Sequence, residues 1–410
     1  MRARALLALG VLLLMACGGG AGGGAKESGP IKIGFLIPLS GTFAANGKNE
    51  QNGWNLAVQQ LGDTVGGRKI EVHFADTQTD PTVALSDARQ LVEGQNVVML
   101  EGPIAANEIG AVASYAGPKG IPVDDISLCS GQQLTNNQKY GNSYSSDWNC
   151  DQPSLMAAQY IYDQGYKHLT VIGMDYAFGW IALGGFIAAY QKVGGKIDKA
   201  IWGPLNAPDW SPFVSAIPTD TPAVFSLMAG AASVRFTQAY KQLGLSGKIP
   251  LFGNTTLTDY SALPSEDPNA IMGVKIGAQY CDGINSPENK KFADDYFARY
   301  NTYPGYYSDA GYTKYQLLHQ TLKKLGGQIG NSKNLVKALK STPITAPRGP
   351  VSLNKSTGSP IENIYICQVQ SVNGAVRNVP IKTYNNVQPW GPLSENQWRD
   401  TFTKNSGGRP

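Results

Sequence analysis

The sequence predicts an α/β protein of two Rossmann-like lobes, each built on a parallel sheet. Three observations carry this. Short apolar, β-branched runs alternate with segments of helical periodicity along most of the chain. That rhythm is broken once by a long polar stretch and then restarts. And 410 residues are too many for one compact core but comfortable for two.

The chain begins with Arg2 and Arg4 ahead of an apolar run over residues 5–16. That run is too short to span a bilayer, which takes about 20 helical residues. A positive start followed by a short apolar stretch is the pattern of an export signal. Leu14, Met15, Ala16 and Cys17 resemble a bacterial lipobox, so cleavage is expected before Cys17, with acylation of that cysteine. Residues 1–16 are read as signal peptide and 17–30 as a flexible, glycine-rich tether. No strand precedes the glycines and no GK[ST] follows, so they are not a phosphate loop. No second apolar run is long enough to cross a membrane. The protein is therefore expected to be exported and lipid-anchored at the outer face of the cell membrane, periplasmic or extracellular. Without Arg2 and Arg4 the basic count falls from 34 to 32, against 30 acidic residues. Near neutrality, with no basic stripe, argues against nucleic acid as a partner.

The unit after the tether sets the pattern. Residues 31–38 read as a buried strand that Pro38 ends, since proline has no N–H for a ladder. Ser40 and Gly41 turn the chain, and from about Gln51 the apolar positions Trp54, Ala57, Val58 and Leu61 recur at helical spacing. A strand, a polar turn and a helix present hydroxyls, free N–H groups and a helix N-terminus at one sheet edge. That setting suits a small polar or anionic ligand. Strands are then predicted at 70–75, 97–100 and 121–126, with helices at 83–93 and 107–116. The polar stretch 127–152 reads as a functional loop or a crossing between lobes. Beyond it helices are expected at 155–164, 181–193, near 212–216 and at 234–243. Strands are expected at 169–174, near 199–202, at 223–228 and at 249–252. A strand over 274–280 looks like the chain returning. Helices at 287–300, 310–325 and 331–340 follow, and strands at 351–353, 364–372 and 376–384 close the pattern.

No GxSxG, HExxH or GxxxxGK[ST] occurs. Asp124 with Asp125, and Asp294 with Asp295, are adjacent pairs; strand neighbours point to opposite faces and make poor acid–base dyads. Asp294 and Asp295 stand near Lys290 and Lys291 and read as a solvated helix face. Catalysis has no candidate constellation, so an enzyme is not expected, nor a cofactor. Cys17 aside, Cys129, Cys150, Cys281 and Cys367 allow three disulfide pairings in an exported chain. Local loop closure favours Cys129–Cys150, and Cys281–Cys367 would link two predicted strands. A metal site is not expected: the cysteine spacings are wide, and His73, His168 and His319 do not cluster near them.

Four motifs go beyond pattern: IGFLIPLSG at 33–41, DYAFG at 175–179, the run NSPENKKFADDYFARYNTYPGYYSDAGY at 285–312, and RGPVSLNKSTGSPIENIYICQV at 348–369. Together they closely resemble the type I periplasmic binding proteins of ABC transporters, in the branched-chain amino acid and amide (leucine/isoleucine/valine-binding protein-like) class. The resemblance reaches about Gln388. It implies discontinuous lobes, 31–148 with 282–350 and 149–281 with 351–388, joined by three hinge crossings, and a C-terminal tail over 389–410. It also implies a monomer that captures a small molecule between its lobes and delivers it to permease and ATPase subunits. The alternative is a ligand-sensing receptor domain that passes occupancy to a signalling partner; the lack of a transmembrane helix after the lobes argues against a self-contained receptor.

The same resemblance nominates ligand-binding residues. In the first loop these are Ser40, Phe43 and Asn46, the last at a place where the family often has an aromatic, which favours a more polar ligand. In the second loop Ala106 stands where the family commonly has a carboxylate-binding serine, with Asn107 next. Cys129 and Ser130 match its small-residue carboxylate turn. In the second lobe Tyr176 and Phe178 match the covering aromatics, and Met228 ends a strand facing the cleft. Thr255 aligns with an acidic residue that pairs the ligand ammonium in amino-acid-binding members. Losing that carboxylate would leave an ammonium unpaired at a cost of several kcal/mol. Amino acid, amide and carboxylate ligands stay open, with Asp259 or Glu108 as substitutes for the missing acid.

Overall fold

The computed structural model describes residues 26–410. The chain runs β1 (Ile31–Ile37), α1 (Ala44–Leu61), β2 (Thr64–Val65), β3 (Arg68–Asp76), α2 (Pro81–Arg89), β4 (Met99–Glu101), α3 (Ala106–Lys119), β5 (Val123–Leu128), α4 (Gly131–Tyr140) and β6 (Ser143–Asn149). It continues through α5 (Gln152–Asp163), β7 (His168–Asp175), α6 (Ala177–Lys192), β8 (Lys196–Pro204), α7 (Ser211–Val214), β9 (Val224–Leu227), α8 (Ala231–Gln242), β10 (Leu251–Asn254), α9 (Pro268–Ile271) and β11 (Lys275–Ala278). The last part holds α10 (Pro287–Tyr300), α11 (Tyr306–Lys324), α12 (Ser332–Lys340), β12 (Ile344–Ala346), β13 (Gly349–Leu353), β14 (Pro360–Val372), β15 (Ala375–Val387) and α13 (Glu395–Asn405).

Two sheets result. The first has the order β2-β3-β1-β4-β5-β6, parallel from β3 to β6. The second runs β12-β13-β14-β11-β10-β9-β7-β8 and is parallel from β11 to β8, with β15 paired to β14. The late helices pack back on the first sheet. Tyr315, Leu318 and Leu322 of α11 and Leu335 and Leu339 of α12 share one core with Ile31, Ile33 and Trp54. Both disulfides form as the spacing favoured: Cys129–Cys150 with Cα atoms 5.4 Å apart, and Cys281–Cys367 at 6.6 Å. Lys290 and Lys291 pair with Asp294 and Asp295 one turn on, along an exposed face.

The structure departs from expectation where polar residues are buried. α1 starts at Ala44 rather than near Gln51, because its first turns bury Asn46, Gly47 and Glu50 instead of an apolar stripe. Small size matters more than apolarity there: a methyl at Gly53 would collide with the carbonyl of Ser308 on α11. The stretch 127–152 is not a loop but α4 and β6. All seven residues of β6, SYSSDWN, are buried, and two hydrogen bonds tie the strand to its neighbour β5. Ser145 Oγ donates to Ile126 O at 3.1 Å, and Ser146 N–H to Asp124 Oδ1 at 2.8 Å.

The tail folds into α13, which the sequence reading did not find. Trp398 and Phe402 are fully buried, and Trp398 Nε1–H donates to Asp151 Oδ2 at 2.9 Å, beside the first chain crossing. Burial pushes the Asp151 carboxyl up to about 8, against the Trp398 hydrogen bond that pulls it down. The folded chain therefore holds a proton that the unfolded chain releases near pH 4. This contribution to stability is full below pH 4 and is lost as pH rises towards 8. Asp151→Asn cannot ionise, so its urea midpoint relative to wild type is expected to climb between pH 5 and pH 8.5. A constant difference across that range would refute the assignment.

Candidate ligand-binding site between the lobes

The lobes meet around a cavity whose walls come from both sheets. Loop β1–α1 supplies Phe43, and the entrance to α3 supplies Ile104 and Ala106. The β5 end adds Ile126, Ser127 and Cys129, and β6 adds Trp148. From the other lobe come Tyr176 and Phe178 at the start of α6, Ala229 after β9 and Thr256 after β10; Tyr306 and Tyr307 at the head of α11 close the ring. The cavity holds about 20 Å³, room for roughly one water. Side-chain bridges span the cleft: Thr42 Oγ1 to Asn206 Oδ1 at 3.2 Å, and Asn46 Nδ2 to Ser261 Oγ at 2.9 Å. Gly230 sits at φ +58°, where a Cβ would lie 3.0 Å from the Phe43 ring. Glycine is needed there both for its backbone and for the approach. This is the closed arrangement.

Six of the thirteen lining residues are aromatic and none is charged. Trp148 packs against Phe178 at 6.1 Å and against Tyr306 at 5.3 Å between ring centroids. Its indole Nε1–H is buried without a partner among the described residues. At the start of α3 the N–H groups of Ala106, Asn107 and Glu108 precede the first intrahelical bond, Ile109 N–H to Ala105 O. Such orphan donors, at the positive end of a helix, suit an anionic group.

The nominated residues separate accordingly. Phe43, Ala106, Cys129, Tyr176 and Phe178 come together around the cavity. Ser40 is exposed and donates to Asp76 Oδ2 at 2.8 Å, fixing the turn. Asn46 bridges the lobes, Asn107 is exposed, and Ser130 is the buried residue before α4. Met228 is fully buried, its carbonyl accepting from Thr256 Oγ1. Thr255 faces a second cavity of about 10 Å³, together with Asp259; its neighbour Thr256 lines the interlobe cavity.

Neither substitute acid reaches the site. Asp259 accepts from Ser261 N–H at 2.8 Å and Tyr306 N–H at 2.7 Å. Glu108 accepts from Ala105 N–H at 3.0 Å, and burial raises its carboxyl to about 7. Sequence reasoning passed over Trp148, which lies in the unpredicted β6, and Tyr306 and Tyr307, which sat inside a run that reads as scaffold.

Two α/β lobes closed over a central cavity define a binding protein of the two-lobed, hinge-closing class. The chain belongs to the periplasmic binding protein family, whose model matches residues 30–375. It is 29% identical over 394 residues to the Leu/Ile/Val-binding protein homolog 6 of Brucella melitensis, covering 94% of this chain and 97% of the relative. Among solved structures it resembles an ABC-transporter solute-binding protein of Rhodopseudomonas palustris BisB5 in complex with 3,4-dihydroxybenzoic acid. That match has a TM-score of 0.83 and 27% identity, covering 90% of this chain and all of the other. A leucine-binding protein of Thermotoga maritima shares the fold, with a TM-score of 0.75 at 19% identity over 87% of this chain and 99% of that one. It is thus a type I periplasmic binding protein of the ABC-transporter class, a family of solute carriers rather than enzymes.

Proposed function

We propose that this chain is the lipid-anchored, extracytoplasmic receptor of an ABC importer that closes over a small aromatic carboxylate. The observation that carries the ligand class is the interlobe cavity itself, walled by six aromatic side chains and by no acid or base. Aromatic faces suit a ring. The orphan N–H groups at the start of α3 and the Trp148 Nε1–H suit a carboxylate, and no carboxylate stands ready for an ammonium. The dihydroxybenzoate-bound relative supports the same class.

The cavity of about 20 Å³ is too small for a ring. The ring therefore enters when the lobes part, and they then close on it less far than in the structure described. They contact it from both sides, which is what drives closure. The closed form is then presented to permease and ATPase subunits, with Cys17 holding the chain at the membrane. The lobes are 31–148 with 282–350 and 149–281 with 351–388. Thermal stability against benzoate, hydroxybenzoates, leucine, valine, simple amides and urea tests the ligand. A compound at about 100 times its Kd is expected to add roughly 2.7 kcal/mol. A rise with hydroxybenzoates is expected; a rise with leucine alone would overturn the aromatic reading.

A further inference from the structure

Another face of the molecule carries charge that neither the cavity nor the hinge uses. α12 presents Lys333, Lys337 and Lys340 at i, i+4 and i+7, along one side of the helix. With Lys355 from the β13–β14 connection, and Asn137 and Tyr140 from the end of α4, they line a groove of about 300 Å³ to which the described residues bring no carboxylate. Lys340 Nζ donates to Gly141 O at 2.7 Å and to Asn137 Oδ1, which fixes it in the groove wall. Lys333, Lys337 and Lys355 are exposed. Tyr140, also exposed, adds an amphipathic ring of the kind enriched at membrane–water interfaces.

The path of the N-terminal chain indicates what this groove faces. Glu27 is pinned just ahead of α12: its carboxylate accepts from Ile329 N–H at 2.9 Å and Gly330 N–H at 2.7 Å, and pairs with Arg68 at 2.6 Å. Nine residues lie between Cys17 and Glu27, ten steps along the chain and a reach of at most about 35 Å when fully extended. An acyl chain on Cys17 would keep the head of α12 within that distance of the bilayer. We infer that the lysine groove docks on anionic phospholipid headgroups of the membrane that tethers the chain, and so orients the lobes above it. The proximity argument rests on the lipid-anchor reading. An acidic patch on a membrane protein would attract the same charges, but the tether brings the groove to lipid first.

The two readings are tested separately. Fatty-acid labelling of the full chain in cells, with Cys17→Ser as control, tests the anchor. Co-sedimentation of residues 26–410, which carry every strand and helix described, tests the groove without any acyl chain. Binding to vesicles containing phosphatidylglycerol but not to pure phosphatidylcholine is expected, weakening with salt. Each lysine near an anionic surface contributes roughly a fivefold change in partitioning. The K333Q/K337Q/K355Q triple is thus expected to bind about a hundredfold more weakly while melting like wild type. Equal binding by the triple, or no binding by wild type, would overturn the inference. Binding to a solubilised permease complex but not to vesicles would also overturn it, in favour of a protein partner. Vesicle binding that depends on the lysines, without labelling of Cys17, would sink the anchor and leave the groove standing.

Discussion

Arg348→Met is expected to cost about 3–5 kcal/mol of folding stability, the range for breaking a buried ion pair by removing one partner. Arg348 is 1% exposed, and all five of its N–H donors are used. Nε–H bonds Glu362 Oε2 at 2.6 Å; Nη1 bonds Asp309 Oδ2 at 2.5 Å and Thr313 Oγ1 at 2.9 Å; Nη2 bonds the carbonyls of Ser146 at 2.7 Å and Asp147 at 3.0 Å. The Asp147 carboxylate lies 3.3 Å from Nη1. These partners come from β6, α11 and β14, so one side chain, itself beside the last crossing between the lobes, ties together three segments that lie far apart in sequence. Burial pushes Asp147, Asp309 and Glu362 upward, Glu362 to about 7, while Arg348 pulls each of them down. Removing the guanidinium leaves carboxylates that must take up protons or stay charged without a partner. The loss should therefore shrink as pH falls. Urea titration at pH 7.5 and pH 5.5 measures it, and a penalty under 1 kcal/mol at both would show that the hub does not hold the hinge. Adding Asp309→Asn to Arg348→Met should recover part of the loss, since one stranded charge is gone.

The expected elements found in the structure share a property with those that were missed. Strands β1, β7 and β9 announce themselves because their buried residues are mostly apolar, and the motifs at 33–41 and 285–312 fix the family on top of that rhythm. β6 is as buried as β1, yet it reads SYSSDWN; its burial depends on hydrogen-bond partners supplied by the neighbouring strand β5 and by Arg348, which lies far away in sequence. The same holds for the first turns of α1 and for Lys314. That lysine is fully buried, 3.0 Å from the Asp124 carbonyl and 3.2 Å from Glu50 Oε1. Adjacent Asp125 turns the other way and accepts from Gln133 Nε2 at 2.6 Å, as alternation along a strand demands. Local hydropathy cannot report a polar group whose partner arrives from a distant segment. The site followed the same division. Tyr176 and Phe178 sit in the motif at 175–179 and Phe43 just past that at 33–41, whereas Tyr306 and Tyr307 lie in a motif that reads as scaffold and Trp148 reaches the cavity through β6.

Trp148 is therefore the sharpest test of the site. Trp148→Ala is expected to raise the Kd for the aromatic acid found by thermal shift about 100- to 1000-fold, the effect of losing a central aromatic anchor. The side chain contributes two separable things: a ring packed between Phe178 and Tyr306, and a buried N–H with no acceptor among the described residues. Trp148→Phe keeps a ring and drops the donor, so it should lose only about tenfold, the low end of the roughly 1.5–3 kcal/mol for a hydrogen bond to a charged group. Truncating a buried tryptophan also costs about 3–5 kcal/mol of stability, so titration calorimetry belongs well below the melting temperature of each variant. Tyr140→Ala, in the distant lysine groove, should leave Kd unchanged. If Trp148→Ala bound as tightly as wild type, the ligand would not occupy this cavity. If Trp148→Phe were as weak as Trp148→Ala, the indole N–H would outweigh the ring, and the ligand would be chosen for its anionic group more than for its aromatic body.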